Sequence, residues 1–136
     1  MKARIHIEEK RLVMLYALEE EKLAKTLKLL KARELPARKV LPEQAGETLG
    51  YLAGYAGFEA SGGPAPSDAP REECMVLAGL EERELHSFLD DLRRAGVEIP
   101  LKAVVTGPNR GWTFARLMGE LQKEREAISR MAKKKK

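Results

Sequence analysis

The sequence predicts an α/β protein: a duplicated strand-helix-strand-helix unit whose four strands form one mainly parallel sheet in the order 2-1-3-4, with helices packed on it. Three observations point there. Two unbroken apolar runs, 12–16 and 74–78, have the pattern of strands covered on both faces. Each is followed by an amphipathic helical stretch, a short strand and a second helical stretch, the alternation of an α/β fold. Matching residues recur in the same order across the two halves.

The elements follow in order. Ile5 and Ile7 alternate with polar residues and suggest a short edge strand. After strand 12–16, a helix over about 19–32 begins with Glu19, Glu20 and Glu21, which suit its positive end, while Lys28 and Lys31 suit the other. Its expected buried stripe is Leu23, Leu27 and Leu30. Pro36 stops the helix, 38–41 forms a short strand, and a second helix runs from 43 or 48 to Phe58. The segment 60–73, ASGGPAPSDAPREE, resists helix and strand alike and reads as an exposed, mobile linker. Beyond strand 74–78, a helix starts near Glu81, turns Leu85, Phe88, Leu89 and Leu92 inward and stops at Gly96. A strand over 102–106 follows Pro100. The last helix starts at the capping residue Thr113 and reaches Ile128 or slightly beyond, with Phe114, Leu117, Met118 and Leu121 inward.

The repeat is specific in its punctuation. Leu18-Glu-Glu matches Leu80-Glu-Glu, and Leu23, Leu27 and Leu30 match Leu85, Leu89 and Leu92. Pro36 then matches Pro100 and Val40 matches Val104, and Thr48, Leu52 and Gly54 match Thr113, Leu117 and Gly119. The expected organisation is one domain over 1–132, made of repeats at about 11–58 and 74–126, with a lysine tail at 133–136. The more apolar strands belong at the centre and the charged ones, 38–41 and 102–106, at the edges.

Composition narrows the function. The chain has 136 residues, and its net charge of +4 equals the contribution of the four terminal lysines, so the remainder is neutral. The basicity is a tail rather than a face, which makes nucleic acid an unlikely partner and confines it to weak, salt-sensitive tail contacts. No apolar run approaches the ~20 residues of a membrane span. A single cysteine, Cys74, forms no internal disulfide and fits a reducing, cytoplasmic setting.

Residues 74–113 resemble a bacterial family known as domain of unknown function 3783. The likeness rests on C-M-V-L-A-G-L at 74–80, I-P-L-K-A-V-V-T at 99–106 and N-R-G-W-T at 109–113, with L-G-Y-L-A-G-Y at 49–55 in the first half. Gly107 and Gly111 depart from the bulkier residues of that motif. The resemblance covers most of the chain apart from linker and tail. It implies small soluble bacterial proteins of no established activity, and it transfers no catalytic residue and no cofactor.

The candidate chemistry is sparse. His6 and His86 with one cysteine make no metal set, and the Glu82-His86-Asp90 spacing is that of exposed helical polar pairs. Cys74 reads as a buried, inert thiol. Gly50, Gly54 and Gly57 lie within the second helix and do not form a dinucleotide fingerprint. The loop 106–113 leaves a strand for a helix N-terminus, where free amides favour anions; Lys102, Thr106, Asn109, Arg110 and Trp112 are its ligand-binding candidates. Asn109 could instead close the turn and Trp112 staple the loop. The helix at 48–58 has no charge from Leu49 to Phe58, and Tyr51, Tyr55 and Phe58 are expected to share one face, an interface candidate. The first reading is therefore a noncatalytic interaction or regulatory module, with a homodimer or another protein as partner. The alternatives are a small-anion or nucleotide-binding protein, an enzyme included, using 106–113, and a weak nucleic-acid binder using the tail.

Overall fold

The computed structural model describes residues 10–61, 63 and 69–134. The edge strand expected around Ile5 and Ile7, His6, the middle of the linker and the last two lysines lie outside the described residues. The elements run β1 (Leu12–Tyr16), α1 (Glu20–Ala32), β2 (Ala37–Val40), a 3-10 turn (Pro42–Gln44), α2 (Leu49–Ala53), β3 (Cys74–Ala78), α3 (Glu82–Arg94), β4 (Leu101–Val104) and α4 (Phe114–Lys134). They form a four-stranded sheet in the order β2-β1-β3-β4, as the apolar runs imply. β1 is parallel to β2 and β3 to β4, while the central pair β1–β3 is antiparallel. That ladder is centred on Met14 opposite Val76.

The sheet is covered twice. Met14, Tyr16, Cys74, Val76 and Ala78 face Leu49 and Leu52 of α2 and Phe114, Leu117 and Met118 of α4. Val13, Leu15, Met75 and Leu77 face Leu30 of α1 and Phe88 and Leu92 of α3. Alternate residues of both central strands therefore enter two cores, which is why the runs carry no charged residue.

Four expectations are corrected. Helix α2 stops at Ala53 because Gly54 turns left-handed (φ 81°), and the amides of Gly54 and Tyr55 close on the carbonyls of Tyr51 and Gly50 at 3.0 and 2.9 Å. Tyr55, Gly57 and Phe58 consequently lie beyond the helix rather than on it. In α1 the buried residues are Thr26 and Leu30, whereas Leu27 is 38% exposed, so the stripe is rotated by one residue. Strand β4 ends at Val104, because Asn109 folds the chain back from Thr106 onward. The end of the linker is docked rather than loose: Ala69 packs on the α2/α4 core and Tyr16 Oη donates to the Pro70 carbonyl at 3.0 Å.

Candidate functional site

Loop 105–113 is shaped by Asn109. Its Oδ1 accepts the Thr106 amide at 2.8 Å, its Nδ2 donates to the Val104 carbonyl at 3.1 Å, and its own amide reaches Thr106 Oγ1 at 3.3 Å. At 9% exposure it is one of the few buried polar residues among those described, and the turn uses its amide group at both ends. Trp112 is half-buried against the α2/α4 core, with the Arg116 guanidinium 4.2 Å from its ring centre. Arg110 lies 4.6 Å above the Tyr55 ring, a cation–π distance.

The first amides of α4 are occupied. Phe114 N–H donates to the Glu47 carbonyl at 3.0 Å and Ala115 N–H to the Ala45 carbonyl at 2.9 Å. Arg116 N–H donates to Thr113 Oγ1 at 3.1 Å, the cap expected from the sequence. The start of α2 mirrors this. Leu49 and Gly50 N–H donate to the carbonyls of Trp112 and Arg110, both at 2.9 Å, and Tyr51 N–H donates to Thr48 Oγ1 at 3.1 Å. Thr48 and Thr113 bridge each other between the two loops. The amides that an anion would need at either helix start are thus spent on the opposite loop and on the capping threonines.

Two candidates expected as separate sites therefore form one junction. Tyr55 is 9% exposed beneath Arg110, Tyr51 and Phe58 are half-buried against the same core, and the Phe58 ring lies where a Gly50 side chain would begin, 2.5 Å away. Lys102 stands apart: its Nζ donates to the Ile99 carbonyl at 3.2 Å, and it lines a hollow of about 280 Å³ with Leu89, Arg93 and Glu98. The residues that sequence reasoning missed are 45–50, whose backbone completes the junction. The signal for them was present, since Thr48 and Thr113 each cap a helix in similar sequence surroundings.

Cys74 is fully buried, and burial, reinforced by the charge of Glu72, pushes its thiol up to about 12. His86 Nε2 lies 3.9 Å from Glu82 on an open helix surface, and Asp90 pairs with Arg93 at 3.2 Å. Among the described residues no three His, Cys, Asp or Glu side chains gather at a metal-binding distance. Nor is any described helix long and apolar enough to cross a membrane.

Fold and junction together define an α/β protein with a mixed, mostly parallel four-stranded sheet. Residues 73–128 match the family model of a domain of unknown function (DUF3783). The match begins one residue before β3 and leaves the first half outside, although L-G-Y-L-A-G-Y occurs there. Neither a curated protein nor a solved structure gave a significant match.

Proposed function

We propose that the chain is a noncatalytic interaction module: two copies of one strand-helix-strand-helix unit, fused in one domain and related by a local twofold, with the projecting end of α4 as its contact surface. Several bonds support the twofold. Met14 and Val76 are 62 residues apart and pair with each other, and Leu12↔Ala78 and Tyr16↔Cys74 flank them symmetrically. Thr48 and Thr113 are 65 apart and also pair with each other. At that offset the bond from Leu49 to Trp112 has its mate from Phe114 to Glu47, and the bond from Gly50 to Arg110 has its mate from Ala115 to Ala45. Under this reading the ladder registers Val13↔Ala37 and Met75↔Lys102 fit an insertion ahead of β4, with Val40 answering to Val105 rather than to Val104.

One observation carries the interaction reading. Residues 123–132 of α4 are exposed without interruption, and within them Ile128 and Met131 are 68% and 61% exposed. They lie on one helix face, three residues apart, a place where a helix gains little by being apolar unless it is covered. The occupant that fits is a second copy, running antiparallel. Setting Ile128 against the partner's Met131 also sets Ala127 against the partner's Ala132, so apolar and small residues meet across the pair. The patch is small, so the dimer is weak and reversible.

Sedimentation velocity over a dilution series tests this. The wild type should dimerise with concentration, and the double variant Ile128→Asp, Met131→Asp should remain monomeric with an unchanged melting temperature. Tyr55→Glu should instead lower the melting temperature. A wild type that is monomeric at every concentration overturns the reading.

A further inference from the structure

Among the described residues three ion pairs cross between the two halves, and all have the same polarity. Arg11 pairs with Glu84, Lys22 Nζ meets Glu73 Oε1 at 2.6 Å, and Arg33 Nε meets Asp91 Oδ2 at 2.8 Å. The first half supplies every cation and the second half every anion. Two of these pairs occupy equivalent places. Glu73 stands 62 residues after Arg11 and Glu84 stands 62 after Lys22, the spacing of Met14 and Val76 at the centre of the ladder. One bridge is therefore built twice, with its charges exchanged.

These pairs are held in place. Lys22 Nζ also donates to the Glu98 carbonyl at 2.6 Å, and Glu73 Oε2 accepts the Glu19 amide at 2.8 Å. Arg11 Nη2 donates to the Glu34 carbonyl at 3.3 Å and Arg33 Nη2 to Ser87 Oγ at 2.6 Å. Side-chain exposure ranges only from 18% at Glu73 to 41% at Arg11, so the charges lie at the packed seam rather than out in solvent.

We infer that this polarity is a pairing code: it fits the first half to the second half, in the same or another chain, and rejects a pair of like halves. The inference rests on the duplication proposed above. A twofold pair of second halves would place Glu73 against the partner copy's Glu84 twice over. A pair of first halves would place Arg11 against the partner copy's Lys22 twice over. The backbone seam offers no discrimination of its own, because a ladder centred on a twofold accepts either copy. Repulsion in the wrong pairs together with attraction in the right one is how charges commonly set partner choice.

The test uses the full chain with a protease site placed in the linker at 64–68, cut after folding. Native mass spectrometry then counts halves before and after unfolding in denaturant and dilution. Wild-type halves should re-form mixed pairs and few like pairs. The double variant Arg11→Glu, Glu84→Arg keeps its intrachain bridge with the charges reversed, so the uncut chain should melt as the wild type does. Once cut, its halves become self-compatible. Glu73 then faces the arginine introduced at position 84 of another second half, and Lys22 faces the glutamate introduced at position 11 of another first half. Like pairs should rise roughly tenfold, the scale of a few partly exposed ion pairs acting together, and 1 M salt should raise them in the wild type too. A variant that re-forms only mixed pairs overturns the code. Like pairs forming equally in wild type and variant overturn the code but leave the duplication standing, since only like-built halves interchange. Second halves that form no pair in the variant or in 1 M salt count against both.

Discussion

Thr26 of α1 and Phe88 of α3 stand 62 residues apart, equivalent places under the proposed duplication, on the helices that cover the same face of the sheet. Both are fully buried. Phe88 fills its layer with an aromatic ring, whereas Thr26 buries a hydroxyl that makes no hydrogen bond among the described residues. The contrast recurs along the backbone. Gly79 and Gly96 take left-handed angles (φ 75° and 74°), and the residues 62 before them, Ala17 and Glu34, take the same angles (φ 60° and 56°) with side chains attached. At these places the first half holds the same backbone angles as the second with less suitable residues, each left-handed one costing about 1 kcal/mol. It holds that backbone because the other half supplies its strand partner, its loop partner and its ion pairs. The difference also bears on the family match over 73–128: the half that keeps glycine and aromatic residues at the demanding positions is the half that is matched.

Breaking the comparison at its strongest point should have the largest effect. Phe88→Ala opens a cavity in the α1/α3 core and should cost about 3–5 kcal/mol by denaturant unfolding. Thr26→Val keeps the volume and removes the unpaired hydroxyl, so it should add about 1 kcal/mol. A loss on Thr26→Val would show that the hydroxyl is paired in solution and that the two positions are equally well satisfied.

The glycines give a smaller and cleaner contrast. A side chain at Gly96 would meet nothing within 4 Å, so Gly96→Ala tests conformation without a clash and should cost about 1 kcal/mol. Glu34→Gly relieves the left-handed angle but frees the unfolded chain, for a net gain of at most about 0.5 kcal/mol. Equal and opposite shifts would mean that the halves differ in nothing but the residue at this place.

Much of the architecture was legible because each boundary carries its own chemistry. Two strands covered on both faces are nearly free of polar residues, and Pro36, Gly96, Pro100 and Thr113 mark ends that local physics enforces. The length of α2 was not legible. Gly54 and Gly119 match when the two halves of the sequence are aligned, yet Gly54 closes a left-handed helix stop while Gly119 lies inside α4. The same residue serves both, since glycine permits the turn without imposing it. The linker misled through composition: its last residues are held by Tyr16, Lys22 and Arg125, partners from distant positions that no local pattern reveals. Both caps of the junction, Thr48 and Thr113, were readable singly. That they meet depended on the antiparallel β1–β3 pairing, which a pair of apolar runs leaves open. For the same reason the amides of the 106–113 loop looked free when the opposite loop occupies them.

The smallest predicted effect lies at the seam between linker and second half, where two adjacent carboxylates are stabilised in different ways. Hydrogen bonds from Arg125 and Gln122 hold the Glu72 carboxyl below the ordinary glutamate range, against mild desolvation. For Glu73 burial is the largest influence and acts upward, but the Glu19 amide and the Lys22 ammonium outweigh it and the carboxyl is again lowered. A carboxyl lowered by folding contributes stability above its unfolded value, about 4.3, and loses that contribution as pH falls through the folded value. The two should therefore part company by partner. Glu72→Gln removes a bond within the second half, whereas Glu73→Gln removes one that joins the halves. Unfolding midpoints measured from pH 7 to pH 3 should show both variants below the wild type at neutral pH, with each gap closing in acid. In the linker-cut chain, only Glu73→Gln should weaken the association of the halves. A gap that stays constant down to pH 3 would mean that the lost stability comes from packing of the side chain and not from its charge.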